Sequence, residues 1–227
     1  MQDKNMDFNV RRSLLTGMGA AAAGAVALSS RANAQGRGFA PERHAEDAWF
    51  DELPGKHRLL IDTSYNMGGF EALLYANNIL NAHADAYHGK DSDYAIVICW
   101  RHYATPLAYG DDVWAKYGET FGKIMNLTDA STGKAFSANP ANLKDRMDLP
   151  NQGSTIDSTL ARGVHVAICD HATHVFASVM SGMVNVPQEK LYAEFVATAV
   201  PNSRFVSAGV MATTRAQEYG YSFLFAG

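Results

Sequence analysis

The sequence predicts an α/β fold of the doubly wound type, a three-layer sandwich around a mainly parallel sheet of five strands. Five short apolar runs alternate with segments in which apolar residues have helical spacing. Right-handed crossovers between such elements make the sheet parallel. The apolar runs are also continuous rather than alternating, as is typical of strands in a sheet that is covered on both faces.

Each predicted strand is a short apolar run next to residues that break secondary structure. The first follows Pro54-Gly55, and the third follows Gly163. The predicted strands span residues 58–63, 94–100, 164–169, 203–207 and 221–225.

The segments between the strands are predicted to be helices. Residues 66–69 (Asn-Met-Gly-Gly) are interpreted as a break before the first long helix, which Gly89 ends as a C-terminal cap. Asp170 is expected to cap the helix that follows the third strand. The predicted helices span residues 70–88, 111–121, 154–161, 171–183, 188–197 and 210–219.

Two segments have no clear periodicity. Residues 35–56 are predicted to be an N-terminal extension that wraps the domain or a neighbouring subunit. Residues 128–153 contain Asp-Ala-Ser-Thr-Gly and Leu-Pro-Asn-Gln-Gly, which indicates an irregular, exposed insertion. Residues 57–227 are therefore predicted to form a single domain.

The first 34 residues have the pattern of a twin-arginine export signal. Arg11-Arg12 precede an apolar run at 14–28, and Ala32-Asn33-Ala34 provides a small-x-small cleavage site. The apolar run is shorter than the roughly 20 residues that a membrane-spanning helix needs. We therefore expect a periplasmic or otherwise exported protein without a stable membrane span after signal cleavage.

Charge and motifs exclude several classes of function. Residues 1–34 carry four basic and two acidic residues, so the remaining 193 residues carry 15 basic and 21 acidic ones, a net charge of −6. A surface of this charge argues against nucleic acid as a partner. The chain has no Gly-x-Gly-x-x-Gly, no phosphate-binding Gly-x4-Gly-Lys-Ser/Thr and no Gly-x-Ser-x-Gly, the motifs of nucleotide-binding and hydrolase sites.

The chain has two cysteines, Cys99 and Cys169, each near the end of an apolar run. If a further strand separates the two strands, the Cα atoms lie about 10 Å apart, twice the strand spacing. A disulfide rarely spans more than about 7 Å. We therefore expect no disulfide between them, and we expect Cys99 to lie in the core.

Cys169 is the leading candidate for a catalytic residue. It ends the third predicted strand and lies just before the N-terminus of the next helix, and helix N-termini favour the thiolate form of cysteine. In an open α/β sheet, ligands bind beyond the carboxyl ends of the strands. A second interpretation, that Cys169 is a small buried apolar residue, stays open.

Four further residues are candidates for a substrate-binding role. His171 and His174 share a helix face with each other, and either could act as a base or charge partner for the thiol. Arg101 and His102 follow the second strand and are expected at the same sheet edge, where they could bind an anion or supply a proton. No cofactor is predicted, but Cys169, His171 and His174 form an alternative ligand set for a metal ion or haem.

Three segments resemble the DsrE/DsrF-like family of sulfur-relay proteins. They are Gly-Val-His-Val-Ala-Ile-Cys at 163–169, Val-Ser-Ala-Gly-Val at 206–210 and Ala-Gln-Glu-Tyr-Gly-Tyr-Ser-Phe-Leu at 216–224. The resemblance covers about residues 57–227. It implies a five-stranded α/β sandwich, a homo-oligomer that is commonly trimeric or hexameric, and a persulfide carried on Cys169.

The sequence thus leads to three hypotheses. The first is an exported protein that binds or relays a small sulfur species on Cys169 and exchanges it with a sulfur-donor or acceptor protein. The second is a metal- or haem-binding periplasmic module. The third is a non-catalytic oligomeric scaffold in which Cys169 belongs to the core.

Overall fold

The computed structural model describes residues 40–146 and 148–227, and these residues contain a sheet of five strands. The strands are β1 (His57–Thr63), β2 (Tyr94–Trp100), β3 (His165–Cys169), β4 (Ser203–Val206) and β5 (Ser222–Phe225). Their order is β4-β3-β2-β1-β5, and all four pairings are parallel. The predicted α/β fold is confirmed. The predicted export signal at 1–34 lies outside the described residues.

Helices connect the strands. They are α1 (Trp49–Glu52), α2 (Asn66–Tyr87), α3 (Asp111–Met125), α4 (Ile156–Leu160), α5 (Asp170–Val184), α6 (Gln188–Ala197) and α7 (Gly209–Glu218). Short 3-10 helices lie at Ala45–Asp47, Asp91–Asp93, His102–Ala108 and Pro140–Asn142. Within the described ranges, no helix is both long enough and apolar enough to cross a membrane.

The predicted break at 66–69 is wrong, because α2 begins at Asn66. Gly68 and Gly69 lie buried in its first turn. A Cβ on Gly68 would collide with the carbonyl oxygen of Ala226, and one on Gly69 would collide with the Leu107 side chain. These glycines therefore allow close packing at the start of the helix. In the sequence alone, a Gly-Gly pair with this role looks the same as one that forms a turn.

The sheet separates two apolar cores, which gives the three layers. On one face, Ile61, Ile98 and Ile168 pack with side chains of α2, α3, α5 and α6. On the other face, Leu60, Val97 and Ala167 pack with side chains of α7 and with Trp49 and Phe50. The second face is therefore covered partly by residues outside the predicted 57–227 domain.

The described part of the N-terminal extension packs against its own domain at this second face. Phe50 is fully buried, and the Tyr221 hydroxyl donates a hydrogen bond of 2.8 Å to the Phe50 carbonyl. The Phe50 ring also lies 5.7 Å from the Tyr219 ring. Of the two alternatives for this segment, the structure shows contact with the same chain.

The described residues of the segment 128–153 form turns, bends and a short 3-10 helix, and several of them are buried. Asn139 is buried, and its amide nitrogen donates to the carbonyls of Leu107 and Tyr109 at 2.8 Å each. Phe136 and Leu149 are buried in the larger core. The turn-forming composition indicates irregular backbone correctly, but it does not reveal that single side chains anchor this backbone.

The partly buried position of His165 gives folding stability a pH dependence. Removal of the ring from water lowers the pKa of His165 below its ordinary value of 6.5, although a backbone hydrogen bond near Asn202 opposes the shift. The unfolded chain therefore binds a proton on His165 more readily than the folded chain. Stability is then greatest above the unfolded pKa and falls as pH decreases through the folded one.

We expect His165→Gln to reduce this loss of stability. The free energy of unfolding, measured by urea denaturation, should fall less in the variant than in the wild type between about pH 7.5 and about pH 5.5, which brackets the ordinary histidine pKa. Each protein at pH 7.5 serves as its own reference. Equal losses in the two proteins would contradict the assignment.

Candidate functional site at the carboxyl edge of the sheet

A cavity of about 400 Å³ lies beyond the carboxyl ends of β2 and β3. Four of the five predicted site residues line it, namely Arg101, His102, Cys169 and His171. Arg101 and His102 directly follow β2, Cys169 ends β3, and His171 lies in the first turn of α5. The parallel sheet brings these residues together, because the carboxyl ends of neighbouring parallel strands meet at one edge.

The Cys169 sulfur accepts hydrogen bonds from the N-termini of two helices. The backbone N–H of Ala172, in α5, donates to Sγ at 3.4 Å, and that of Gly209, at the start of α7, donates at 3.2 Å. Cys169 is itself the N-cap of α5, so the predicted cap by Asp170 is wrong. Asp170 instead accepts a hydrogen bond of 2.7 Å from the Tyr192 hydroxyl. Two N–H donors and two helix dipoles directed at one sulfur stabilise negative charge on that sulfur.

Gly209 makes this convergence possible. A Cβ at this position would lie 2.6 Å from the Cβ of Arg101 and 3.2 Å from the sulfur of Cys99. The first of these distances is too short for real atoms. Only glycine therefore allows α7 to approach β2 closely enough to donate to Cys169.

Arg101 is held by a carboxylate that the sequence analysis did not identify. Its Nε and one terminal nitrogen donate to the two oxygens of Asp62 at 2.8 and 2.9 Å. Asp62 lies in β1 and is almost fully buried. These hydrogen bonds raise the pKa of Arg101, so the guanidinium remains charged. A single Asp within an apolar strand is the signal that could have identified this residue, since a buried carboxylate needs a partner.

The three histidines near the site have different surroundings. His102 and His171 are exposed residues that line the cavity. His174 is not among the residues that line it. Its ring stacks on Tyr192 at 4.0 Å, and its Nε2 lies 3.5 Å from Asp170. His174 thus contacts α6, whereas the helical spacing alone predicted a shared site with His171.

The predicted ligand set Cys169, His171 and His174 is not assembled in the structure. In the part of the chain that is described, no group of three or more His, Cys, Asp or Glu side chains is placed to hold a metal ion. The packing of His174 against Tyr192 accounts for this arrangement.

The second cysteine, Cys99, is fully buried, and both cysteines are free. Burial strongly raises the pKa of the Cys99 thiol. The strands of the two cysteines are neighbours, so the premise that a further strand separates them is wrong. Cys99 pairs in register with Ala167, two residues before Cys169. This diagonal offset places the two Cα atoms about 8 Å apart at ideal sheet spacings, still beyond the reach of a disulfide.

Comparison of the chain with protein-family models, curated proteins and solved structures yields no match. Arguments about its activity therefore depend on the site itself.

The substitution Gly209→Ala should destabilise the protein, because the new methyl group collides with Arg101. We expect the free energy of unfolding to fall by about 1–3 kcal/mol, the usual cost of overpacking. Denaturant unfolding measures this change.

Gly182→Ala is the matched control. Gly182 lies in α5, and a Cβ there would meet no atom within 4 Å. The free energy of unfolding of this variant should rise by about 0.5–1 kcal/mol, because alanine loses less backbone entropy than glycine when a helix forms. A Gly209→Ala variant as stable as Gly182→Ala would contradict the close approach of α7.

Proposed function

We propose that this chain is an exported, DsrE/DsrF-like protein that carries a small sulfur species as a persulfide on Cys169. The observation that carries the proposal is the hydrogen bonding of the Cys169 sulfur by two backbone N–H groups at the edge of a cavity. The Ala172 N–H is the donor that an N-cap of α5 satisfies, but the Gly209 N–H comes from a second helix, and two such donors stabilise a nucleophilic thiolate.

The transfer itself is an exchange between sulfur atoms. The Cys169 thiolate attacks the outer sulfur of a donor R–S–SH, the S–S bond of the donor breaks, and R–S⁻ leaves. Cys169 then carries –S–SH, and the proton balance is restored when R–S⁻ is protonated. No net oxidation occurs, because the outer sulfur passes unchanged from one thiol to another.

Each of the five predicted site residues has a role in this proposal. Arg101, fixed by Asp62, provides positive charge close to the reacting sulfur atoms. His102 and His171 supply or accept the proton that the leaving thiol requires. His174 contributes indirectly, as a packing partner of α6.

The surface around the cavity supports the proposal of a homo-oligomer, a trimer or hexamer. Val175, Val179 and Met183 are each about half exposed and lie four residues apart on α5. Such spacing places them in one stripe along the helix. Val210 on α7 is 61% exposed and lines the same cavity. Apolar stripes of this kind typically mark contacts with another protein.

Exposure to a sulfane-sulfur donor tests the proposed function. After incubation with polysulfide, intact-mass analysis should show a gain of about 32 Da per chain, one added sulfur atom that dithiothreitol removes. The adduct should map to Cys169, and Cys169→Ser should not acquire it.

Cys99→Ala is the control, since it removes the other thiol and should still acquire the adduct. An adduct that maps to Cys99, or no adduct in the wild type, would refute sulfur carriage by Cys169. Elemental analysis and an absorption spectrum of the same preparation test the alternative of a metal or haem on Cys169 and His171. Stoichiometric metal or a haem band would favour that alternative.

A further inference from the structure

The cavity beside Cys169 is much larger than an inorganic sulfur species requires. Its volume is about 400 Å³. Sulfide or thiosulfate would fill only a small part of this space. The volume instead falls in the range of sites that hold organic ligands, about 300–1,000 Å³.

The walls of the cavity are apolar away from the cysteine. The apolar side chains come from α3, α5 and α7, and they are Ile124, Val175, Phe176, Val179 and Val210. Val179 lies eight residues beyond His171 in α5, so the apolar wall extends about 12 Å along the helix from the polar edge. Apolar surface of this extent favours a hydrocarbon or aromatic group over a hydrated ion.

The polar end of the cavity favours an anion. Among the described residues that line it, Arg101, His102 and His171 can carry positive charge, and none is acidic. Asp62 accepts hydrogen bonds from Nε and one terminal nitrogen of Arg101, and no acceptor in the described part of the chain contacts the other terminal nitrogen. Arg101 therefore retains donors for a further acceptor.

We propose that this cavity binds an amphiphilic organic anion, with its anionic group beside Arg101 and its apolar body along α5. The inference rests on the proposed function in one respect. It identifies the sulfur donor as an apolar organic persulfide, R–S–S⁻. With this deprotonated donor, the outer sulfur forms a bond to Cys169 as the S–S bond of the donor breaks, so Cys169 carries –S–S⁻ and R–S⁻ leaves. R–S⁻ takes the proton that the Cys169 thiol has lost.

Ligand binding without sulfur chemistry provides the test. The Cys169→Ser protein is titrated with the fluorescent apolar anion 1-anilinonaphthalene-8-sulfonate, which is then displaced with octanoate, butanoate or thiosulfate at constant ionic strength. Octanoate should displace the probe at a concentration at least tenfold lower than butanoate, because each buried methylene adds about fourfold in affinity. Thiosulfate should displace little of it.

Two neighbouring exposed residues on α7 provide matched variants in the same Cys169→Ser background. Val210 lines this cavity, and Met211, which is 46% exposed, does not. Val210→Glu should weaken octanoate binding at least tenfold, because it adds a like charge and removes apolar wall. Met211→Glu should change it less than twofold. Far-ultraviolet circular dichroism establishes that both variants are folded.

Three results would overturn the inference. They are displacement by thiosulfate at the same concentration as octanoate, equal weakening by the two glutamate variants, and no binding of the probe, as expected if the proposed subunit contact fills the cavity instead of bordering it. These outcomes are distinguishable from failure of sulfur carriage. A chain that acquires the persulfide but does not bind octanoate refutes only the ligand class, and one that binds octanoate without acquiring the persulfide refutes only the carrier.

Discussion

The hydrogen bonding of one sulfur atom by two helix N-termini is the arrangement on which the whole site depends. Cys169 caps α5 and also accepts the N–H of Gly209 at the start of α7. These helices lie on opposite faces of the sheet, so the sulfur lies at the edge where all three layers meet. The two dipoles and the Arg101 guanidinium favour negative charge at this point. The parallel sheet makes this convergence possible, because the helix that follows each strand begins at the same, carboxyl edge of the sheet.

Close packing around Gly209 connects the site to the core. Arg101 lies between the Asp62 carboxylate and the Gly209 backbone, and Cys99 lies against the same glycine. The bidentate ion pair fixes the guanidinium, and loss of Arg101 would leave the buried Asp62 carboxylate without its partner, which commonly costs about 3–5 kcal/mol. The surroundings of Cys169 and the stability of the fold thus depend on the same few contacts.

Local sequence predicted the elements and the sheet edge but not the pairings across the chain. The strand predicted at 94–100 has the same bounds as β2. A continuous apolar run indicates a strand that is buried on both faces, as β2 is after its first residue. Strand order depends on the paths of the crossovers, so the adjacency of the cysteine-bearing strands was not evident. The partners of Arg101 and His174 lie 39 and 18 residues away in sequence, at Asp62 and Tyr192, and spacing within one element carries no information about them.

Alkylation of the native protein tests the central claim, that Cys169 is a solvent-reachable thiol poised for reaction. The protein is treated with iodoacetamide without denaturant, and the modified cysteine is located by peptide mapping over time. The structure predicts that Cys169, 6% exposed at the cavity edge, is alkylated, whereas the fully buried Cys99 reacts only after denaturation. If both cysteines stay unmodified until the protein unfolds, Cys169 belongs to the core and the account of a reactive site is wrong.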